Sequence, residues 1–215
     1  MSRHSVPSSP SASPRGKAAD KRERILAAAV KIFAKEGFYN ARVSQIAELA
    51  GVADGTIYLY FKSKDDLLIQ LFEDRVERIN EKVRDAIAST PNAPARLALL
   101  ISLYFDFIAN DRALAEVITV ELRQSSKFIK EYKNPKFADF LRIIGSLVEE
   151  GQQRGELRAD FAPPLVARAL FGSLDEIARA HLARGGRSFD LAQAKKQLSS
   201  LFLAGLAVVS PSGKP

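Results

Sequence analysis

Val43-Ser-Gln-Ile-Ala-Glu-Leu-Ala-Gly-Val-Ala-Asp-Gly-Thr-Ile-Tyr-Leu-Tyr-Phe-Lys-Ser-Lys64 decides the fold of this 215-residue chain. Ser44 to Leu49 reads as a short helix with Ile46, Ala47 and Leu49/Ala50 as its inner face. Gly51 ends it, because the residue just past a helix end often needs φ > 0, which glycine adopts at no steric cost. Asp54 has the side chain of an N-cap and, with Gly55, opens a second short helix. That helix buries Ile57 and Phe61, four apart on one face, and leaves Thr56, Tyr58 and Tyr60 pointing elsewhere. The spacing predicts either a plain helical hairpin or a helix-turn-helix, whose second helix enters the DNA major groove. The residue types favour the second. Gly55 keeps the leading end thin, so that backbone can approach phosphate. Thr56, Tyr58 and Tyr60 offer hydroxyls and flat polar rings, and Lys62 and Lys64 follow where phosphates would run.

Toward the N-terminus, Ile25, Ala28/Ala29, Ile32 and Phe33 recur at helical spacing from Ala18 to Glu36, and Gly37 is the expected stop. Lys21, Arg22 and Arg24 at the start of that helix are either phosphate contacts or solvated surface. Residues 1–17 are rich in Ser and Pro and have nothing to bury, so a disordered basic tail is expected. Residues 1–64 hold eleven Lys/Arg against five Asp/Glu, which is most of the net charge of +7. Positive charge thus collects around the motif, where it attracts phosphate.

From about Arg22 to Leu68 the chain resembles the DNA-binding domain of the TetR family of bacterial repressors. The marks are Ile25-Leu26-Ala27-Ala28-Ala29, Phe33, Gly37-Phe38, Ile46-Ala47, Ala50-Gly51-Val52, Gly55-Thr56-Ile57-Tyr58, Tyr60-Phe61 and Lys64. The resemblance implies an all-α, TetR-like fold: an N-terminal three-helix helix-turn-helix domain and a C-terminal helical ligand-binding and dimerisation domain. It also implies a homodimer on a palindromic operator in double-stranded DNA. At the matching positions it assigns Thr56, Tyr58 and Tyr60 to bases or phosphates, and the Gly55 backbone and Lys64 to phosphate. Arg42 or Ser44 would anchor the first helix, although Arg42 stands where many members have a small hydroxyl residue.

Beyond the motif, Ser63 is the expected cap of a long helix with Asp65 and Asp66 in its first turn. Its stripe of Leu67, Leu68, Leu71, Phe72, Val76 and Ile79 runs to about Ala88. Such a helix reaches from the DNA-binding domain, residues 18–64, into a second domain, residues 65–209, with 210–215 as a flexible end. In the second domain, Ala95 to Asn110 is apolar nearly all round and should lie in the middle. Helices are expected over Arg112 to Arg123 and from Asn134-Pro135 to about Arg154, with a short helix or turn over Ser125 to Tyr132 between them. Two further helices, Pro164 to Arg184 and Asp190 to about Val209, are too apolar for a chain end. Leu165, Ala169, Leu170, Gly172, Ile177 and Ala180 on one, with Leu198, Leu201, Phe202, Gly205 and Leu206 on the other, suggest a four-helix dimer seam.

Composition removes several chemistries. The chain has no Cys, so disulfide, thiolate-metal and thiol-nucleophile roles are impossible, and a reducing cytoplasm is the expected setting. His181 is the one histidine outside the tail and is expected at an interface or surface. No triad and no metal-ligand cluster is expected, so neither an enzyme nor a cofactor is. No apolar run is expected to span a membrane, and the basic N-terminus lacks the apolar segment of a secretory signal.

A polar stretch, Glu121-Leu122-Arg123-Gln124-Ser125, followed by Lys130, Lys133 and Lys136, sits between very apolar helices. One reading is a filled core beside a solvated charged surface. The other is a cavity for a long hydrocarbon, walled by Leu100, Tyr104, Phe107, Ile108, Phe137, Leu141, Ile144, Phe171 and Leu174, with Glu121 and Arg123 as further ligand contacts and basic residues at a mouth that takes an anionic head. Asp175-Glu176 is expected at the surface, in a buried polar contact, or orienting a ligand. The strings Val52 to Phe61, Glu121 to Ser125 and Phe171-Gly172-Ser173-Leu174-Asp175-Glu176 resemble the FadR-type branch of the TetR family. That branch represses fatty-acid degradation genes and is released by long-chain acyl-CoA, which the resemblance implies as the effector here. The alternatives are a TetR-type repressor, of efflux or other genes, answering a different apolar ligand, and an acyl-CoA-binding protein without specific DNA recognition.

Overall fold

The computed structural model describes residues 14–183 and 190–208, whose regular elements are all helices. The chain opens on α1, Pro14–Asn40, which starts inside the stretch expected as tail; the rest of that stretch, the Gly185-Gly186 turn and the C-terminal end lie outside the described residues. Gly37 interrupts α1 with φ 75° and ψ 157°, so the helix does not stop there but breaks and resumes for one turn. This backbone is one an L side chain resists. The break drops Phe38 onto Phe33, with ring centroids 5.7 Å apart.

Helix α2, Val43–Ala50, ends at Gly51 in the left-handed region, φ 65° and ψ 42°. The Gly51 and Val52 N–H groups return to Glu48 O at 3.1 Å and Ala47 O at 3.0 Å, closing the turn that the sequence called for. Two details differ from expectation. Leu49 is half exposed, because at eight residues α2 has room for only Ile46, Ala47 and Ala50 on its inner face. The N-cap of α3, Asp54–Tyr58, is Ala53; Asp54 is instead a first-turn acid that favours the positive end of the helix. Ile57 on α3 and Phe61 just past its end are each 1% exposed and join the core formed with α1 and α2.

Helix α4, Lys64–Ala88, is capped as expected, Ser63 Oγ accepting from Asp66 N at 3.1 Å. The second domain follows as α5 (Ala93–Asn110), α6 (Arg112–Thr119), a 3₁₀ turn (Glu121–Gln124), α7 (Ser126–Lys130), α8 (Pro135–Gln153), α9 (Pro163–Ala183) and α10 (Leu191–Leu206). Asn92, Asp111, Ser125, Asn134 and Asp190 each accept a backbone N–H at the start of the next helix, which is why the helices begin where they do. Helix α5 corrects one expectation: its 18 residues have a mean hydropathy of 1.2, enough by length and composition for a membrane span. It is packed instead among α4, α6, α8, α9 and α10, where an all-round apolar surface is what a central helix needs.

Two large apolar cores and one small cluster result. One holds α8, α9, α10 and the far half of α4 around α5. The other gathers Ile25, Phe33, Ile46, Ile57 and Phe61 with the near half of α4, and continues without a break into Leu114, Val117, Leu122 and Phe128. The core of the helix-turn-helix therefore extends into α6, the 3₁₀ turn and α7.

Candidate functional site

The outer surface of α2 and α3 is unusually bare of internal contacts. Arg42, Ser44, Gly55 and Tyr58 are exposed, Tyr58 at 58%. A Cβ added at Gly55 would meet nothing within 4 Å, so its small size answers no packing demand inside the domain. Leu59, which sequence reasoning passed over, is 83% exposed beside Tyr58 and adds an apolar contact suited to a thymine methyl. Thr56 and Tyr60 are half buried, and the Tyr60 ring packs 6.3 Å from the Phe61 ring.

Several cations expected at phosphate are occupied. Lys64 Nζ donates to the carbonyls of Phe38 (2.7 Å), Tyr39 (3.0 Å) and Ala41 (3.1 Å) and sits 4.8 Å from the centre of the Phe38 ring. All three of its N–H groups hold the segment past Gly37, a role invisible in sequence because the partners are main-chain oxygens 23 to 26 residues away. Arg24 donates to Ala50 O at 3.1 Å and so finishes α2. Arg22 pairs with Asp74 at 3.2 Å and lies 5.8 Å from the Phe61 ring centre. Arg22 and Arg24 thus act as struts inside the domain. Arg42 and Lys62 have no carboxylate partner among the described residues and remain available to an anion.

Glu23, Asp74, Arg75 and Arg78 tie α1 to α4, with Arg75 and Arg78 each 2.6 Å from Glu23. Burial opposes ionisation of Glu23, but hydrogen bonds and charge from Arg75 and Arg78 outweigh it and hold its carboxyl below the ordinary value. A lowered folded-state pKa means stabilisation that is full above the unfolded pKa and lost as pH falls through the folded one. This tie therefore loosens only in acid.

Between α4, α5, α6, α8 and α9 lies an apolar cavity of about 90 Å³. Of the wall expected from sequence, Leu100, Tyr104, Phe107, Phe137 and Phe171 line it. Ile144 and Leu174, both 0% exposed, are packed behind it, and Ile108 belongs to a small cluster with Ala115, Ala178 and Leu182. Leu141 turns to a surface groove between α8 and α9. The largest omission is α4, which supplies Phe72, Val76, Ile79, Asn80 and Val83. Their three-and-four spacing was legible, but nothing in it tells a helix packing on a core from one lining a cavity.

The polar stretch divides. Glu121, 7% exposed, does not line the cavity: its Oε2 accepts from Phe38 N at 2.6 Å and from Gln124 Nε2 at 2.9 Å. Tyr39 Oη adds a bond to Gln124 O at 2.7 Å, so the 3₁₀ turn is fastened to the break in α1. Arg123 pairs with Asp175 at 2.7 Å and also donates to Thr119 O. Asp175 does line the cavity, while its neighbour Glu176 faces out and pairs with Arg179. Burial pushes the Tyr104 phenol above its ordinary pKa, the Asp175 carboxylate adds to this, and Arg123 offsets part of it; Tyr104 is a neutral donor across physiological pH.

A larger open groove of about 640 Å³ adjoins the cavity and shares Ile79, Val83, Leu103 and Phe107 with it. Its rim carries Lys31, Arg75, Arg78 and Lys82. Lys31 and Lys82 make no ion pair among the described residues, so cations without a carboxylate partner meet the apolar wall here, beside Asp106 and Asp111.

Comparison with known proteins divides the chain at α4. Residues 25–71 match the model described as "Bacterial regulatory proteins, tetR family", and residues 72–205 match "YsiA-like protein, C-terminal region". The fatty acid metabolism regulator protein of Bacillus subtilis is 36% identical over 183 residues, covering 85% of this chain and 94% of that protein. The crystal structure of the transcriptional regulator FadR from Bacillus subtilis in complex with stearoyl-CoA is 35% identical, with a TM-score of 0.79 over 86% of this chain and 98% of that one. The fatty acid degradation regulator FadR from Bacillus halodurans gives the same identity, TM-score and coverage.

Proposed function

This chain belongs to the TetR family of bacterial regulatory proteins, and on that premise we propose that it represses fatty-acid degradation genes and leaves its operator when long-chain acyl-CoA binds. The observation that carries this reading is a shared wall. Helices α4 and α6 line the apolar cavity and also pack on the helix-turn-helix core through Phe72, Val76, Leu114 and Val117. Anything that spreads the cavity moves the mounting of the reading head.

In this reading the acyl chain enters the cavity and its anionic head lies along Lys31, Arg75, Arg78 and Lys82. The cavity is smaller than the roughly 150 Å³ that accommodates one benzene, so a long chain must part α4 from α5 and α6 to enter. That is the source of the signal: the ligand releases DNA only by preferring the opened state. Moving the population from 1:99 to 99:1 takes about 5.5 kcal/mol of such preference. Leu165 and Leu201, 65% and 68% exposed on α9 and α10, support a four-helix dimer seam. Two reading heads so joined would address a palindrome in successive major grooves, about 34–36 Å apart.

The small cavity also favours a second reading, a TetR-type repressor answering a compact apolar ligand. Thermal stabilisation by a chain-length series of acyl-CoAs separates the two, because only the first gives stabilisation that grows with length. Operator DNA obtained by selection from random sequence should then be released by the same long-chain thioesters. Release by none of them removes the fatty-acid reading.

Tyr58→Ala tests the reading head itself. It is expected to weaken operator binding by about tenfold, the scale of one base contact, with no change in melting temperature. Unchanged affinity at matched salt would take α3 out of the interface.

A further inference from the structure

The cavity contains a polar atom that hydrocarbon cannot satisfy. Asn80 is 0% exposed and sits in the wall between Val76 and Val83 on the same face of α4. Its Nδ2 donates to the Lys136 carbonyl at 3.1 Å, while Oδ1 is buried with no hydrogen-bond partner among the described residues. The carbonyl fixes which end of the amide is which, since turning it over would set oxygen against oxygen. Oδ1 is therefore the acceptor left for the cavity, and the neighbouring wall is Val76, Ile79, Val83 and Phe137. A buried acceptor without a donor is costly. An aliphatic chain laid over it leaves it unpaired, whereas a ligand with an O–H or N–H at that point pairs it.

The geometry points to Asn80 as a specificity-determining residue that accepts a hydrogen bond from the ligand. The pocket then prefers an amphiphile carrying a hydroxyl or amide N–H along its length over a bare hydrocarbon chain. This rests on the acyl-CoA reading and deepens it: the donor is a hydroxyl on the acyl chain or an amide N–H of the pantetheine arm. The rival account makes Asn80 a strap from α4 to the first turn of α8 and nothing more.

The test titrates the full chain with stearoyl-CoA, with hydroxystearoyl-CoAs whose hydroxyl is moved along the chain, and with the corresponding free acids. Wild type is compared with Asn80→Leu, which keeps the shape and removes the polar atoms, and with the smaller Asn80→Ala. A chain-hydroxyl donor predicts that wild type binds one hydroxylated thioester about tenfold tighter than stearoyl-CoA, and that Asn80→Leu abolishes this preference. A pantetheine donor predicts that Asn80→Leu weakens every thioester about tenfold but spares the free acids. Identical ratios among all probes in wild type and both variants leave Asn80 as a strap and overturn the inference. If wild type binds no thioester at all, the acyl-CoA reading falls first and this inference with it.

Discussion

Lys64→Ala is expected to lower stability by about 2–3 kcal/mol and to leave the salt dependence of DNA binding as it was. The ammonium holds three carbonyls, those of Phe38, Tyr39 and Ala41, and lies on the Phe38 ring. Hydrogen bonds from a charged donor are worth about 1.5–3 kcal/mol each, but three on one ammonium are not additive, and the Tyr39 carbonyl bond is exposed to water. For a chain of this size the loss corresponds to a fall in melting temperature of about 5–10 °C, readable by thermal denaturation. A phosphate contact predicts something else: a normal melting temperature and a plot of log affinity against log salt flatter by about one unit. Lys64→Arg should not rescue the variant. A planar guanidinium presents its donors in a fork and cannot direct three of them at three carbonyls converging on one point. A stable variant with a flattened salt slope would return Lys64 to the DNA backbone.

Glu121→Ala should leave acyl-CoA binding within about twofold of wild type and raise the concentration needed for release of DNA by about tenfold, within the usual range of allosteric coupling. Glu121 is outside the cavity wall, so the ligand does not miss it. Its carboxylate is what ties the 3₁₀ turn after α6 to the N–H of Phe38, just past the Gly37 break. Without it the movement of α6 is transmitted by apolar contacts and by the hydrogen bonds of Tyr39 to Gln124 and Ser125 to Asp65. The variant also leaves a buried N–H unpaired, a loss of about 1–3 kcal/mol that thermal denaturation will register. Glu121→Gln is the control, because its amide oxygen can accept the same two bonds; near-normal release is expected from it. If Glu121→Ala abolishes ligand binding while release per bound ligand is unchanged, Glu121 belongs to the pocket, as its place in the polar stretch first suggested.

These two residues show how far reading along the chain carries. Both were singled out from sequence, and both were given a partner outside the protein, because a charged side chain near a motif has no visible internal partner in a linear string. Ser63 and Gly51 were easier: their partners lie within three or four residues, and local geometry alone sets what they do. Helix order followed for the same reason, since the spacing of Ile46, Ile57, Phe61 and the α4 stripe reports which face is buried. The apolar content of α5 showed that it would be covered without showing by what.

The sequence by itself determined an all-α chain, a two-helix reading head with its glycine turn, a capped long helix behind it, and the family to which these belong. Only the tertiary structure decided which apolar faces meet to leave a cavity, that α4 forms one side of it, and that Asn80 stands in that wall with an oxygen unpaired among the described residues. It also decided that Lys64 and Glu121 hold the protein to itself. The physical reason is range. Periodicity and capping are fixed by neighbours a turn or two away, whereas a void, an orphaned acceptor or a carbonyl 26 residues distant exists only once separate helices are brought together.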